Sequence, residues 1–195
     1  MISPLSKKHD FNIVFDSQKV FRLVLEAMSN PTRIVSIKES SDKLFGNNAA
    51  LLAVAMTLLD NEVSFSVCED QSLTNDIASL TLAKKDVTNT ADFVFVDNPQ
   101  YMESVIENVK CGTLSDPHKS ATVVILNDDT SANQLTLWGP GINGRVDINT
   151  SQTVKNAIKL RDAQNYEYPQ GIDLLFVTSG GDLLAIPRLT KMEAK

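Results

Sequence analysis

The chain has 195 residues, of which 43% are hydrophobic and 22% charged, as in an ordinary folded domain. We therefore expect residues 1–195 to form a single domain. Its formal net charge is −6 and no basic stripe stands out, which excludes the electrostatic footprint of a nucleic-acid-binding protein. Apolar runs stay well below the ~20 residues that span a bilayer, so no membrane segment is expected.

The N-terminal sequence MISPLSKKHDF carries an early aspartate and no apolar core of signal-peptide length. The two cysteines, Cys68 and Cys111, are too few for a disulfide framework. Together these features predict a cytoplasmic protein whose cysteines are reduced and serve as small packing residues.

The first predicted elements are a helix, a short strand and a second helix. DSQKVFRLVLEAMSNP (16–31) predicts a helix that ends before its proline, with apolar residues at helical spacing: Phe21, Val24, Leu25 and Met28. RIVSI (33–37) predicts a strand. AALLAVAMTLLD (49–60) predicts a helix that is apolar on nearly every face and therefore buried on several sides. Its surplus apolar surface predicts that the isolated chain forms a symmetric dimer.

The middle of the chain alternates further strands and helices. Continuous apolar runs predict buried strands, and mixed polar stretches predict helices. The predicted strands are VSFSVC (63–68), DFVFVD (92–97), ATVVILN (121–127) and the half-exposed QLTLWG (134–139); the predicted helices are SLTNDIASLTLAKKD (72–86) and YMESVIENVK (101–110).

The last third predicts an amphipathic helix and a hairpin. The helix is SQTVKNAIKLRDAQ (151–164), with Val154, Ile158 and Leu160-Arg161 around its inner edge. The apolar runs 171–177 and 182–188 flank a glycine-rich turn at 179–182, which is a strong hairpin signal. Helices alternating with buried strands predict a three-layer α/β fold. Its layers are a mixed, mostly parallel β-sheet and flanking helices, and it ends in a C-terminal β-hairpin.

The stretch WGPGING begins at Trp138 and matches the G-x-G-x-x-G spacing of a dinucleotide-binding loop. Its glycines are Gly139, Gly141 and Gly144. A dinucleotide loop needs a helix directly after these glycines, so that the helix N-terminus faces the pyrophosphate. Here Arg-Val-Asp-Ile-Asn follows and alternates like an extended strand, and Pro140 removes an amide donor. We interpret the stretch as consecutive turns in which Gly141 supplies a positive backbone dihedral, with a phosphate-binding loop as the alternative.

Asp173 opens an apolar strand, so its carboxylate is expected to be partly buried and to need hydrogen-bond donors. Arg188, at the far end of the hairpin partner, is the candidate donor because a planar guanidinium matches a carboxylate. The pair either fixes the hairpin register or anchors a partner subunit or a phosphate-bearing ligand. Trp138, the only tryptophan, is either a core residue or part of a contact surface.

The sequence predicts no metal and no cofactor in this chain. The two histidines, His9 and His118, and the two cysteines show no ligand spacing. A pyridoxal phosphate site needs a lysine just past a buried strand. Lys84-Lys85 end a predicted helix, Lys110 lies near another helix end, and Lys119 precedes a strand. No nucleophile–base pair can be assembled either, so the catalytic residues are unknown.

Three blocks of the sequence resemble the PhnH family, a subunit of bacterial carbon–phosphorus lyase. They are FRLVLEAMSNPTRIVSI, LWGPGI and YPQGIDLLFVTSGGDLLAIPRLTK, in the family's order and spacing, so the resemblance covers nearly the whole chain. The last block is the most specific, with Pro169, Gly171-Ile172-Asp173 and Ala185-Ile186-Pro187-Arg188. The resemblance implies that the glycine stretch is a strand-and-turn segment.

The resemblance also implies an accessory subunit of the carbon–phosphorus lyase core complex, with partner subunits G, I and J. That complex couples an alkylphosphonate to the ribose of ATP, displacing adenine to give a ribose 1-alkylphosphonate 5-triphosphate. The J subunit then cleaves the carbon–phosphorus bond. The implied fold is similar to the large domain of pyridoxal-phosphate-dependent transferases, without that cofactor. The chain is then part of a transferase complex and not catalytic alone.

The alternative function is an independent nucleotide- or phosphate-binding enzyme that uses the GPGING loop. The candidate residues for ligand or partner binding are Trp138, Gly139, Gly141, Asp173 and Arg188.

Overall fold

A computed structural model describes residues 8–194, in which helices and strands alternate. The α-helices are α1 (Phe15–Ser29), α2 (Lys38–Ser41), α3 (Ala49–Leu58), α4 (Gln71–Leu80), α5 (Met102–Asn108) and α6 (Gln152–Ala163). The strands are β1 (Val35–Ser36), β2 (Ser64–Val67), β3 (Lys84–Lys85), β4 (Phe93–Val96), β5 (Thr122–Leu126), β6 (Asn133–Trp138), β7 (Val146–Thr150), β8 (Asp173–Val177), β9 (Asp182–Ile186) and β10 (Lys191–Ala194). The stretch analysed for a signal peptide lies mostly outside this range. Among residues 8–194, none of the helices has the length and apolarity that crossing a bilayer requires.

Seven strands form one sheet in the order β1-β9-β8-β5-β4-β2-β3. Strands β8, β5, β4, β2 and β3 run parallel to one another, whereas β9 pairs antiparallel with β8 and β1. The amide of Gly181 donates to the Thr178 carbonyl at 2.9 Å and closes the turn between β8 and β9. The mixed, mostly parallel sheet and the C-terminal hairpin that the sequence predicts are both confirmed.

Residues of the central strands alternate between two cores on opposite faces of this sheet. In β4, Phe95 packs with α1, α3 and α4, while Val94 and Val96 pack with α5 and α6. Burial on both faces explains why DFVFVD is a continuous apolar run instead of an alternating one. The predicted three-layer architecture is therefore confirmed.

A second sheet, which the sequence does not predict, contains β10, β6 and β7 in that order. Both pairings are antiparallel. QLTLWG is a strand as predicted, but it pairs outside the large sheet, and Leu135 and Leu137 pack into the core that α5 and α6 cover. The extended character of the Arg-Val-Asp-Ile-Asn stretch is confirmed by β7. Strand β10 has little strand propensity of its own and forms because β6 offers it an edge.

Two boundaries predicted from the sequence are wrong. Helix α4 ends at Leu80, and Lys84-Lys85, predicted within that helix, pairs as β3 with β2. The threonine and asparagine content of the predicted helix explains its early end, since these residues favour caps and turns over helix interiors. Of the predicted strand 33–37, only Val35-Ser36 pairs with β9.

Exposed apolar side chains lie along α1 but not along α3, where the sequence predicts them. Every residue from Ala50 to Met56 of α3 is buried within the chain, so this helix has no surplus surface. On α1 the buried stripe is Val20, Val24 and Ala27. Phe15, Phe21 and Leu25 of α1 are instead 68%, 50% and 55% exposed. Of the residues that recur at helical spacing, Val24 is therefore buried, whereas Phe21 and Leu25 face water.

Candidate functional site

The blocks LWGPGI and AIPRLTK, far apart in sequence, lie side by side. Trp138, the last residue of β6, is in register with Lys191 of β10. The next residue, Gly139, approaches the backbone so closely that a Cβ added there would lie 2.8 Å from the Leu189 carbonyl oxygen. The structure thus brings together two of the three segments that resemble the family.

Gly141 connects the third segment to these two. A Cβ at Gly141 would lie 2.5 Å from the carbonyl oxygen of Ser29, the last residue of α1, and 3.1 Å from the ring of Pro31. Its φ is +80°, a region that residues with a side chain rarely adopt. Both the backbone conformation and the close approach therefore require glycine here, in agreement with the predicted positive dihedral.

The GPGING loop connects two strands. It follows β6, its turn is closed by the amide of Ile142 donating to Gly139 at 3.1 Å, and it continues into β7. Helix α6 begins only at Gln152. A dinucleotide loop presents a helix N-terminus to the pyrophosphate, and this loop has none. The interpretation as consecutive turns is confirmed.

Trp138 lies half-buried at the rim of the small sheet. The guanidinium carbon of Arg145 lies 4.4 Å from its ring centroid, a cation–π contact, and Arg145 also pairs with Glu193 at 2.7 Å. Both members of that ion pair are largely exposed. The Trp138 ring is therefore partly covered by an exposed arginine at the rim of the small sheet.

Asp173 and Arg188 form the ion pair that the sequence predicts. The Nη2 and Nε of Arg188 donate to the two carboxylate oxygens at 2.5 and 3.3 Å, and the Arg188 amide donates to the same carboxylate at 2.8 Å. The Nη1 donates to the carbonyl of Pro117. Because Asp173 is only 9% exposed, removal of the Arg188 side chain would leave a buried charge without an ionic partner.

Arg161 is a buried cation on the inner edge of α6, as its helical spacing predicts, although it is not among the candidate site residues of the sequence analysis. Its guanidinium is 1% exposed and donates to the carbonyls of Pro187 and Thr190 at 3.0 and 2.5 Å. Its Nε donates to Asp162 at 3.0 Å. The signal was present in the helical spacing, because Arg161 follows Val154 and Ile158 on the inner edge of α6.

A cavity of about 300 Å³ opens beside the turn that Arg161 holds. We call it the arginine cavity; its wall contains Arg161, Asp162, Asn165, Tyr166, Tyr168, Gln170, Arg188, Leu189 and Lys191. Burial, with a smaller contribution from Cys111, raises the pKa of Tyr166 to about 12. Its phenol therefore stays protonated at neutral pH and can act as a hydrogen-bond donor.

A second crevice lies at the carboxyl ends of β2 and β4. The chain leaves β2 through α4 toward β3 and leaves β4 through α5 toward β5, in opposite directions. This divergence is the topological position where open α/β sheets commonly bind ligands. The crevice has a volume of about 290 Å³ and is lined by Cys68, Glu69, Asp70, Asp97, Asn98 and Tyr101.

The chemistry of this crevice is acidic. Burial raises the pKa of Asp97, and the negative charge of Asp70 and a hydrogen bond with it raise it further. Burial, together with Glu69 and Asp97, also raises the pKa of the Cys68 thiol, so the thiol stays protonated at neutral pH and is a poor nucleophile. A carboxyl pair of this kind can share a proton, and it repels a free phosphate.

The sequence analysis misses the acidic crevice, although Asp97 follows β4 directly and Asp70 lies three residues after the end of β2. The carboxyl ends of neighbouring parallel strands meet at one edge of a sheet, which brings Asp70 and Asp97 together. Across residues 8–194, no three His, Cys, Asp or Glu side chains are placed to hold a metal ion.

Comparisons with known proteins relate the chain to phosphonate metabolism. A sequence model of the family described as "Bacterial phosphonate metabolism protein (PhnH)" matches residues 9–193. The protein named "Putative C-P lyase subunit protein HtxG" from Stutzerimonas stutzeri is 29% identical over 179 residues, which cover 91% of this chain and 86% of that protein. The protein named "Alpha-D-ribose 1-methylphosphonate 5-triphosphate synthase subunit PhnH" from Rhizobium meliloti is 27% identical over 187 residues, 92% of each chain.

Proposed function

The chain belongs to the PhnH family of bacterial phosphonate metabolism proteins, and from this premise we propose that it is an accessory subunit of a carbon–phosphorus lyase complex acting in the cytoplasm. The observation that carries the proposal is the extent of the family match, which runs from residue 9 to residue 193. Relatives that cover more than nine tenths of this chain are named as subunits of a C-P lyase or of the synthase.

Within that complex, we propose that the chain supports the formation of ribose 1-alkylphosphonate 5-triphosphate from ATP and an alkylphosphonate. Its partners would be the G, I and J subunits. The convergence of the three resembling segments around Gly139 and Gly141 favours this region, with Trp138 and the Asp173–Arg188 pair, as the part that faces a partner or ligand. Because this chain is one component of a larger assembly, its contribution would be positioning more than chemistry.

The alternative, an independent nucleotide-binding enzyme that uses GPGING, has less support. The GPGING loop lacks a helix N-terminus that would neutralise the phosphates. Two of its glycines, Gly139 and Gly141, instead pack closely against the backbone of Leu189 and Ser29. Nucleotide binding by the isolated chain would revive this alternative.

Co-expression with the other three subunits tests the proposed role. We expect this chain, carrying an affinity tag, to retain the G, I and J subunits through purification, and we expect omission of the chain to lower synthase activity of the remaining complex at least tenfold. The measurement is product formation from ATP and methylphosphonate, with each subunit omitted in turn as the control. A fully active complex that forms without this chain would contradict the proposal.

We further propose that the isolated chain forms a dimer through the outer face of α1. Exposed apolar side chains on this helix, Phe15, Phe21 and Leu25, lose contact with water when two copies meet. Light scattering should report a dimer at micromolar concentration for the wild-type chain and a monomer for Leu25→Lys. Leu82, 79% exposed and away from α1, provides the control: Leu82→Lys should remain a dimer. A monomeric wild-type chain would contradict the proposal.

We propose that the chain binds no cofactor of its own and that its fold resembles the large domain of pyridoxal-phosphate-dependent transferases. The purified chain is expected to show no visible absorbance band. A band that disappears on borohydride treatment or chelation would contradict the expectation.

A further inference from the structure

The wall of the arginine cavity carries a surplus of positive charge in a chain whose net charge is −6. Arg161, Arg188 and Lys191 are its three cations. Two of them are paired with carboxylates, Arg161 with Asp162 and Arg188 with Asp173. The ammonium group of Lys191 has no ion-pair or hydrogen-bond partner among residues 8–194. The uncompensated charge of this wall is therefore the Lys191 ammonium.

The turn that presents these cations is held rigidly. The amide of Thr190 donates to the Pro187 carbonyl at 2.9 Å, and the buried guanidinium of Arg161 donates to the carbonyls of the same two residues. Arg188 and Leu189 are the central residues of this turn, and Lys191 follows it directly. The remaining guanidinium donors of Arg161 face the Ile186 carbonyl at 3.5 Å and the Asp162 carboxylate at 3.0 Å. Groups held in place before binding lose less conformational entropy when a ligand arrives, so Arg161 positions the turn and does not itself supply a donor to the ligand.

Several hydrogen-bond donors of the cavity are left without an acceptor. Three of the five N–H groups of Arg188 are used, by Asp173 and by the Pro117 carbonyl, which leaves two. The Lys191 ammonium adds three more, and the protonated phenol of Tyr166 adds another. In the same turn, the buried hydroxyl of Thr190 also lacks a partner among the described residues. Such unused polar capacity beside a cavity calls for a ligand or ordered water.

We infer that the arginine cavity binds the phosphate or phosphonate group of a small anionic ligand. The guanidinium of Arg188, the ammonium of Lys191 and the phenol of Tyr166 all line this cavity. Together they suit a tetrahedral oxyanion, which accepts several hydrogen bonds in different directions. A planar carboxylate offers fewer acceptors and less charge. The volume of about 300 Å³ lies at the lower end for small-molecule sites, which favours a compact ligand over a nucleoside triphosphate.

This inference stands apart from the proposed function. A chain that assembles with its partners but binds no phosphate would disprove the inference alone. A chain that binds phosphate but does not assemble would disprove the subunit role alone.

Calorimetric titration of the purified full chain tests the site, with inorganic phosphate, methylphosphonate, acetate and ATP as separate probes. Phosphate and methylphosphonate are expected to bind with dissociation constants of about 1 mM or tighter, and acetate at least tenfold more weakly. Lys191→Met should weaken phosphate and methylphosphonate binding at least tenfold, whereas Lys191→Arg should retain it. Similar affinities for the two would show that the shared PO₃ group is recognised.

The matched control is Lys85, an exposed lysine of β3, which like β10 is an edge strand. Lys85→Met should leave phosphate binding unchanged, and circular dichroism should show that both lysine variants are folded. Three results would each overturn the inference: no phosphate or methylphosphonate binding to the wild-type chain up to about 10 mM, equal binding by wild type and Lys191→Met, or equal binding of acetate and phosphate. Binding of ATP without binding of either small probe would overturn it as well.

Discussion

Gly141→Ala is expected to destabilise the chain by about 3 kcal/mol, because two costs coincide at this position. A side chain at φ +80° costs about 1–2 kcal/mol. The added methyl group would also lie 2.5 Å from the Ser29 carbonyl oxygen, and forcing such a group into a packed site costs about 1–3 kcal/mol more. For a chain of this size, thermal melting should show a fall in Tm of about 6–12 °C.

Gly144→Ala is the matched control for this prediction. Gly144 lies in the same loop with φ +75°, but a Cβ there would meet no atom within 4 Å. Only the conformational cost applies, so we expect a loss of about 1 kcal/mol and a fall in Tm of about 2–4 °C. Equal melting temperatures for the two variants would show that the contact between Gly141 and α1 contributes nothing.

The same two variants separate the proposed function from its alternative. If the loop is a turn in a complex subunit, Gly141→Ala should impair retention of the partner subunits in a pull-down, and ATP titration of the wild-type chain should show no binding. If the loop binds a nucleotide, the variant should stay folded and assembled, and wild-type ATP binding should disappear. That second pattern would contradict the subunit interpretation of GPGING.

Arg188→Met is expected to destabilise the chain by about 3 kcal/mol, since it leaves the Asp173 carboxylate without its ionic partner. The side chains of the pair are only 20% and 12% exposed, so solvent compensates little for the loss. Thermal melting should show a fall in Tm of about 6–12 °C. The pair between Arg33 and Glu26 supplies the control, because its N–O distance is 2.7 Å but Arg33 is 66% exposed. Arg33→Met should cost less than about 1 kcal/mol.

A double variant separates the unpaired charge from the lost packing. Arg188→Met combined with Asp173→Leu removes both charges, and it should recover a substantial part of the stability that Arg188→Met loses, because no buried charge then remains. If the double variant is instead as unstable as the sum of its single variants, the two residues contribute independently and the ion pair is not what holds the start of β8 to the end of β9.

Local sequence was sufficient to predict those elements whose residues can occupy only one kind of environment. The apolar run DFVFVD can be accommodated only by a strand with both faces covered, and β4 has Phe95 in one core and Val94 and Val96 in the other. A carboxylate at the start of such a strand needs donors, which predicts the pairing of Asp173. The positive φ of Gly141 was also predictable, since a glycine in a tight turn commonly adopts a positive φ.

Tertiary structure decided which of several acceptable environments the remaining residues occupy. Helical spacing shows that 16–31 is a helix, but only packing on the sheet selects Val20 and Val24 for the core and leaves Phe21 and Leu25 in water. Likewise β10 becomes a strand because β6 presents a free edge, and Asp70 meets Asp97 because β2 and β4 are neighbours. The physical reason is common to these cases: periodicity along the chain determines the type of an element, whereas contacts between distant segments determine its face, its pairing and the charges it brings together.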